Sequence, residues 1–289
     1  MQNGFVESQG IKLYYEIEGE GEPLILMNGG PGFAHDYLDE MRALAPCARL
    51  VFFDQRGTGR SGKADPHDYT IAANVEDVHA LQMALGLGPC AILGHSWGGM
   101  LAQAYVLKYP DAVTKLILAD TFSSVTDCNT ALARMRAAVP PEVAAIYDKY
   151  ERAGLYREGD SYPAEYAAAL DVAYEPVFMS IPPPEPLQAA LTKMAPDVYR
   201  AMWGEETEFR ITGTLAAFDV AGRLGSIRVP TLVIVGASDM PTVDMAAETA
   251  RRIPGACLEV FEHSRHFPFI EEKDRFVAVV RAFLEEHPG

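Results

Sequence analysis

The chain is poor in the features that would point to a redox, metal or nucleic-acid role. Its four cysteines, Cys47, Cys90, Cys128 and Cys257, are scattered through 289 residues with no C-x-x-C pair, so reduced thiols are expected rather than a disulfide framework. Its seven histidines include no H-E-x-x-H or comparable ligand spacing, so neither a metal nor a cofactor is expected. Lysine and arginine number 24 against 40 aspartates and glutamates, a net charge of −16. Nucleic acid and anionic membrane surfaces both reward a basic face, which argues against either as a partner. There is no internal repeat, no low-complexity tract and no apolar run long enough to span a bilayer. The first residues, Met1-Gln2-Asn3-Gly4-Phe5-Val6-Glu7, lack a basic start and an apolar signal segment, and a cytoplasmic location is the resulting expectation.

What is present is a globular pattern, with 49% apolar residues over a length suited to one large α/β domain or to a core with an insertion. Strand-like runs at Ile11 to Ile17, Pro23 to Met27 and Arg49 to Phe53 precede a helix from about Ile71 to Leu85 and a further strand at Cys90 to Leu93. Such alternation predicts a mostly parallel sheet with helices on both faces. Strand signals stop after Ala119 and resume at Ile227, and the stretch between is Ala-, Tyr- and Met-rich helical sequence broken by prolines. Residues 122–224 are therefore expected to form a helical cap over a core of residues 1–121 and 225–289, excluding water and shaping a pocket.

The apolar run Cys90-Ala91-Ile92-Leu93 leads into Gly94-His95-Ser96-Trp97-Gly98, and a helical stretch follows. This strand, sharp turn and helix would expose the serine hydroxyl at the carboxyl end of the sheet, with small residues two before and two after to avoid collision. A serine hydroxyl is a poor nucleophile at neutral pH and needs a histidine base oriented by a carboxylate. Downstream, Thr231-Leu232-Val233-Ile234-Val235 delivers Asp239 at a strand end, and His266 stands just before Phe267-Pro268. These predict Ser96 as nucleophile, Asp239 as acid and His266 as base. Asp120, after the run Lys115 to Ala119, is the rival acid, and His263 reads as a solvated loop residue.

Acyl transfer also needs two donors aimed at the developing oxyanion, each worth about 3 kcal/mol when removed. The Trp97 N–H at a helix start is one candidate, and the loop Asn28-Gly29-Gly30-Pro31-Gly32 offers Gly29 or Gly30 as the other. The run Asp54-Gln55-Arg56-Gly57-Thr58-Gly59 reads as a structural loop packed under that segment, not as catalytic machinery.

Together these motifs resemble the prolyl iminopeptidase family of α/β-hydrolases, particularly the tricorn-interacting aminopeptidase type, over nearly the whole chain. The residues that carry the resemblance are Gly29 to Gly32, Asp54 to Ser61, the Ser96 elbow with Trp97, and Glu208-Phe209-Arg210-Ile211-Thr212-Gly213-Thr214. The resemblance implies an α/β-hydrolase fold and removal of an N-terminal residue, often proline, from a small peptide or aminoacyl amide. It further implies that Glu208 holds the free α-amino group and that Tyr199 approaches the substrate. The chain departs from the pattern twice. Asn28 stands where the family usually has histidine, and Met240 stands where tricorn-type relatives carry a second amine-binding glutamate. Glu205 and Glu206 lie near enough in sequence to Glu208 for one of them to substitute for that acid. The alternatives are a general carboxylesterase or lactonase on the same fold, or a ligand-binding protein with negligible turnover. The sequence leaves the oligomeric state open.

Overall fold

A computed structural model describes residues 1–155 and 161–287 of the chain. Its centre is an eight-stranded sheet in the order β1-β2-β4-β3-β5-β6-β7-β8. The strands are β1 (Gln2–Ser8), β2 (Ile11–Glu18), β3 (Pro23–Met27), β4 (Arg49–Phe53), β5 (Cys90–His95), β6 (Val113–Ala119), β7 (Thr231–Gly236) and β8 (Cys257–Phe261). From β4 to β8 every pairing is parallel, while β1 and β2 form an antiparallel edge. The mostly parallel sheet predicted from alternation is therefore present. The edge strand β1 escapes the sequence reading because it is polar, carries Gly4 and is half exposed.

Strands β3, β5, β6 and β7 read as continuous apolar runs because both faces of the sheet are covered. On one face Ile25, Val51, Ile92 and Leu116 pack against side chains of α1 (Ile71–Ala84) and α2 (Trp97–Lys108), among them Val78, Leu101 and Tyr105. On the other, Leu24, Leu26, Phe52, Leu93 and Ile117 meet a 3₁₀ segment at residues 35–44 and the helix that ends the chain. The registers Met27↔Gly94, His95↔Ala119 and Ala119↔Ile234 bring the carboxyl ends of β3, β5, β6 and β7 to one edge. Loops leaving adjacent strands at that edge are forced together, which is where open α/β sheets build their sites.

Between β6 and β7 the chain departs into α3 (Val125–Ala138), α4 (Pro141–Arg152), α5 (Ala164–Phe178), α6 (Glu185–Thr192) and α7 (Pro196–Trp203). Prolines open α4, α6 and α7 at positions whose N–H would lack an intrahelical partner anyway. The two ends of this excursion are tied together, Val125 N–H donating to Phe218 O at 2.8 Å and Val220 N–H to Ser123 O at 2.9 Å. After β7 come α8 (Val243–Arg252), the short α9 (Pro268–Glu271) and α10 (Lys273–Glu286). Among the described residues no helix is long and apolar enough to cross a membrane.

Candidate active site

Ser96 joins β5 to α2 with φ 57° and ψ −124°, a conformation that costs a non-glycine residue about 1–3 kcal/mol and persists only where its surroundings hold it. Those restraints are visible. Ser96 N–H donates to Ala119 O at 2.9 Å, and Ser96 O accepts from Gly99 N–H at 2.9 Å and from Thr121 Oγ1 at 2.7 Å. The flanking glycines are required by close approach: a Cβ at Gly94 would overlap the Gly98 carbonyl, and one at Gly98 would overlap the carbonyl of Met27. Strand, elbow and the end of β3 thus pack backbone to backbone.

His266 Nε2 lies 3.0 Å from Ser96 Oγ, and His266 Nδ1 lies 2.8 Å from Asp239 Oδ1. A carboxylate only accepts, so Nδ1 carries the proton and Nε2 is left to accept from the serine hydroxyl. Asp239 Oδ1 also accepts from Met240 N–H at 2.6 Å. Burial lowers His266 from its ordinary range, with the carboxyl groups of Asp120 and Glu271 opposing that shift. Asp120, the rival acid, does not reach the imidazole; its Oδ1 accepts from Gly236 N–H at 2.9 Å. His263 is exposed on its loop.

The oxyanion loop departs from one expectation. Gly29 N–H donates to the Tyr37 hydroxyl at 2.5 Å, so that amide is engaged inside the protein and is not an oxyanion donor. Gly30 lines the cavity beside Ser96, and Trp97 N–H, at the first residue of α2, has no intrahelical acceptor. Two segments hold this arrangement. Gln55 Nε2 donates to Asn28 O at 2.8 Å while its Oε1 accepts from Trp97 Nε1 at 2.7 Å, bridging the Gly29–Gly32 loop and the start of α2. Asn28 itself closes the loop by donating from Nδ2 to Phe33 O. Asp54 and Arg56 act as the structural reading expects: Asp54 accepts from His35 and from Arg60 N–H, and Arg56 makes a buried two-pronged contact with Asp77.

Tyr37 has a second partner that sequence reasoning missed. His95 Nε2 faces the carbonyl of His266 at 2.8 Å and must donate to it, which makes Nδ1 the acceptor of the Tyr37 hydroxyl at 2.9 Å. Burial holds His95 well below its usual range and pushes the Tyr37 phenol up, so this pattern of neutral groups is stable near pH 7. A single chain of hydrogen bonds therefore runs from Gly29 through Tyr37 and His95 to the backbone of His266. In the sequence, an aromatic residue within residues 35–44 is indistinguishable from ordinary core.

These groups open onto a cavity of about 360 Å³. Its walls are largely apolar, with Leu170, Tyr174, Val177, Phe178, Met194 and Met240 among them, and Glu208 stands in the same wall as Tyr162, Tyr199 and Trp203. Glu208 is 3% exposed, not a surface acid. Its carboxylate accepts from the hydroxyls of Tyr162 and Tyr199, the latter at 2.6 Å. Tyr199 thus fixes Glu208 as well as lining the cavity. Glu205 and Glu206 are exposed beside Arg200 and Arg210, so neither replaces the acid absent at Met240.

The loop bearing His266 is also stitched to the helical excursion. His266 N–H donates to Phe178 O at 3.1 Å, and Arg265 NH1 to Met179 O at 2.6 Å. The Glu271 carboxylate accepts from Ser180 N–H at 2.6 Å and from Phe267 N–H at 2.9 Å. The end of α5 and the loop of His266 are in effect one backbone assembly.

The alpha/beta hydrolase fold model matches residues 22–273. A proline iminopeptidase of Saccharolobus solfataricus is 32% identical over 99% of this chain and 93% of its own length, and one of Clostridioides difficile is 33% identical over 97% of each. Among solved structures, the crystal structure of VinJ superposes with a TM-score of 0.91 at 30% identity over 99% of both chains. Proline iminopeptidase from Mycobacterium smegmatis superposes with a TM-score of 0.87 at 29% identity, covering 99% of this chain and 98% of its own.

Proposed function

The chain belongs to the proline iminopeptidase family of α/β-hydrolases, and from that membership we propose a serine hydrolase that removes an N-terminal aminoacyl group, prolyl or prolyl-like, from small peptides or aminoacyl amides. The observation that carries the substrate class is Glu208. A buried carboxylate shares one cavity with Ser96, and its chemistry is matched by the ammonium of a free N-terminus.

Ser96 Oγ attacks the carbonyl carbon of the first amide bond while His266 Nε2 takes its proton, and Asp239 stabilises the imidazolium through Nδ1–H. The N–H groups of Trp97 and Gly30 receive the oxyanion. Collapse of the tetrahedral intermediate breaks the C–N bond, and the amine departs with the proton from His266. Water, deprotonated by His266, then attacks the aminoacyl ester and releases the amino acid, returning the proton to Ser96. Residues 122–224 serve as the cap over this chemistry, contributing Glu208 and most of the apolar wall. That wall favours a hydrophobic group beyond the scissile bond.

The reading is tested with initial rates on prolyl, alanyl and N-acetyl-prolyl arylamides beside a short-chain aryl ester. Free-amine substrates are expected to be favoured by about 2 kcal/mol or more of transition-state binding, and Glu208→Gln is expected to erase that margin. Indifference to acetylation, with the ester cut fastest, would make the protein a general esterase, the reading that Met240 favours.

Tyr37→Phe is expected to lower kcat about 10- to 100-fold, because it strands the buried Gly29 N–H and His95 Nδ1 beside Ser96. Steady-state kinetics on the preferred arylamide check this, and a change confined to KM would contradict it.

A further inference from the structure

Asp120 is not used by the mechanism above, yet it is 1% exposed and follows β6, the strand paired with the one that leads to the triad acid. It follows β6 in a left-handed conformation, φ 53°, held by its N–H donating to Ile234 O at 2.9 Å. From there its side chain reaches the end of β7, where Oδ1 accepts from Gly236 N–H. The other oxygen, Oδ2, is buried and receives no donor among the described residues, and the same is true of Oδ2 of Asp239. The two carboxyl groups lie near enough to act on each other. Two ionised carboxylates cannot face each other in a dry site, but a single proton between them satisfies both orphaned atoms.

We propose that Asp120 is a positioning residue for Asp239, its carboxyl acting as a hydrogen-bond donor from Oδ2 to Oδ2. The proposal rests on the reading of Ser96, His266 and Asp239 as a triad. The proton belongs on Asp120 because the ionised form of Asp239 has the better partners, His266 Nδ1–H and Met240 N–H, both on Oδ1. Asp120 has only Gly236 N–H. Burial raises both carboxyls well above the usual range; the charge of Asp239 raises Asp120 further, whereas the bonds from Asp120 and Met240 draw Asp239 back down. The other titratable groups around the pair are Tyr37, His95, His266 and Glu271. Tyr37 and His95 are held neutral, and the Glu271 carboxylate is occupied by backbone amides. Asp239 thereby gains a third donor that keeps it ionised and fixes the plane in which it meets His266.

Asparagine at this position retains the donor, with Nδ2–H serving Asp239 and Oδ1 accepting from Gly236. Asp120→Asn is therefore expected to keep kcat/KM within about threefold of wild type with the acid limb of its pH profile unmoved, whereas Asp120→Ala loses about 10- to 100-fold. In the alanine variant the acid limb moves towards neutral pH, because Asp239 without its donor binds a proton more readily and then no longer fixes the His266 tautomer. If asparagine is as impaired as alanine, or if alanine leaves rate and profile unchanged, the proposal is overturned. Should Asp120→Ala not fold, infrared spectroscopy decides. The carbonyl band of a protonated carboxyl is expected at pH 7 in the wild type and not in Asp120→Asn, and its absence from the wild type overturns the proposal. Asp239→Ala separates the two readings, since full activity there removes the triad itself, while a dead Asp239→Ala leaves only the role of Asp120 in question.

Discussion

Replacing Ser96 with alanine is expected to abolish labelling by a fluorophosphonate and to lower kcat on the order of 10⁴-fold or more, with the fold intact. The restraints on the elbow act through the backbone: Ala119 O, Gly99 N–H and Thr121 Oγ1 all address main-chain atoms of residue 96. Alanine keeps those bonds and occupies no more space, so only the hydroxyl facing His266 Nε2 is lost. Unchanged circular dichroism together with absent labelling is the expected pair of results. Persistent labelling of Ser96→Ala would place the reactive nucleophile elsewhere. A wild-type protein that is folded yet unlabelled would favour the ligand-binding alternative over any hydrolase.

Gly98→Ala is expected to destabilise the protein by on the order of 3 kcal/mol or more and to remove labelling as well. Its Cβ would meet the carbonyl of Met27 and Asn28 O, which are main-chain atoms of β3 and the oxyanion loop. No rotamer change relieves a clash with backbone, so either α2 moves away from β3 or the elbow opens. Gly86→Ala is the control. There φ is 59° but nothing lies within 4 Å of the added Cβ, and the expected cost is about 1 kcal/mol from backbone conformation alone. Urea midpoints of the two variants measure the difference, and equal midpoints would mean that the elbow yields to the added methyl without cost.

The contrast between these glycines bears on how much was legible in the sequence. Gly94, Ser96 and Gly98 could be read because a strand-to-helix turn is local, and its small residues lie two positions either side of the apex. Asp239 and His266 could be singled out because each lies in the loop that follows a short strand, β7 and β8, and such loops meet at one edge of a parallel sheet. The choice between Gly29 and Gly30 could not be read. It depends on Tyr37, eight residues on in a 3₁₀ segment, whose hydroxyl engages one amide. His95 was in plain view inside the elbow motif, but its bond to the His266 carbonyl spans 171 positions of sequence. Glu208 drew attention only through a family resemblance; its burial by Tyr162, Tyr199 and Trp203 is a product of helix packing that periodicity does not specify. The proposed pairing of Asp120 with Asp239 depends on the adjacency of β6 and β7, which the alternation of strands and helices predicts as a sheet but not as an order.

The bonds from Phe178, Met179 and Ser180 to the loop of His266 bear on how this protein could change over time or in the laboratory. A helical insertion connected to its core only at the entry and exit points behaves as a module, exchangeable for another of different specificity. This one also supplies the acceptor for the amide of the proposed base. Grafting a foreign insertion between β6 and β7 would alter the proposed catalytic histidine together with the pocket, and chimaeras joined at residues 122 and 224 should lose rate before they gain new substrates. Divergence of specificity in this lineage is then channelled into side chains facing the cavity, such as Leu170, Tyr174 and Val177 of α5, and away from wholesale replacement of the helices that present them.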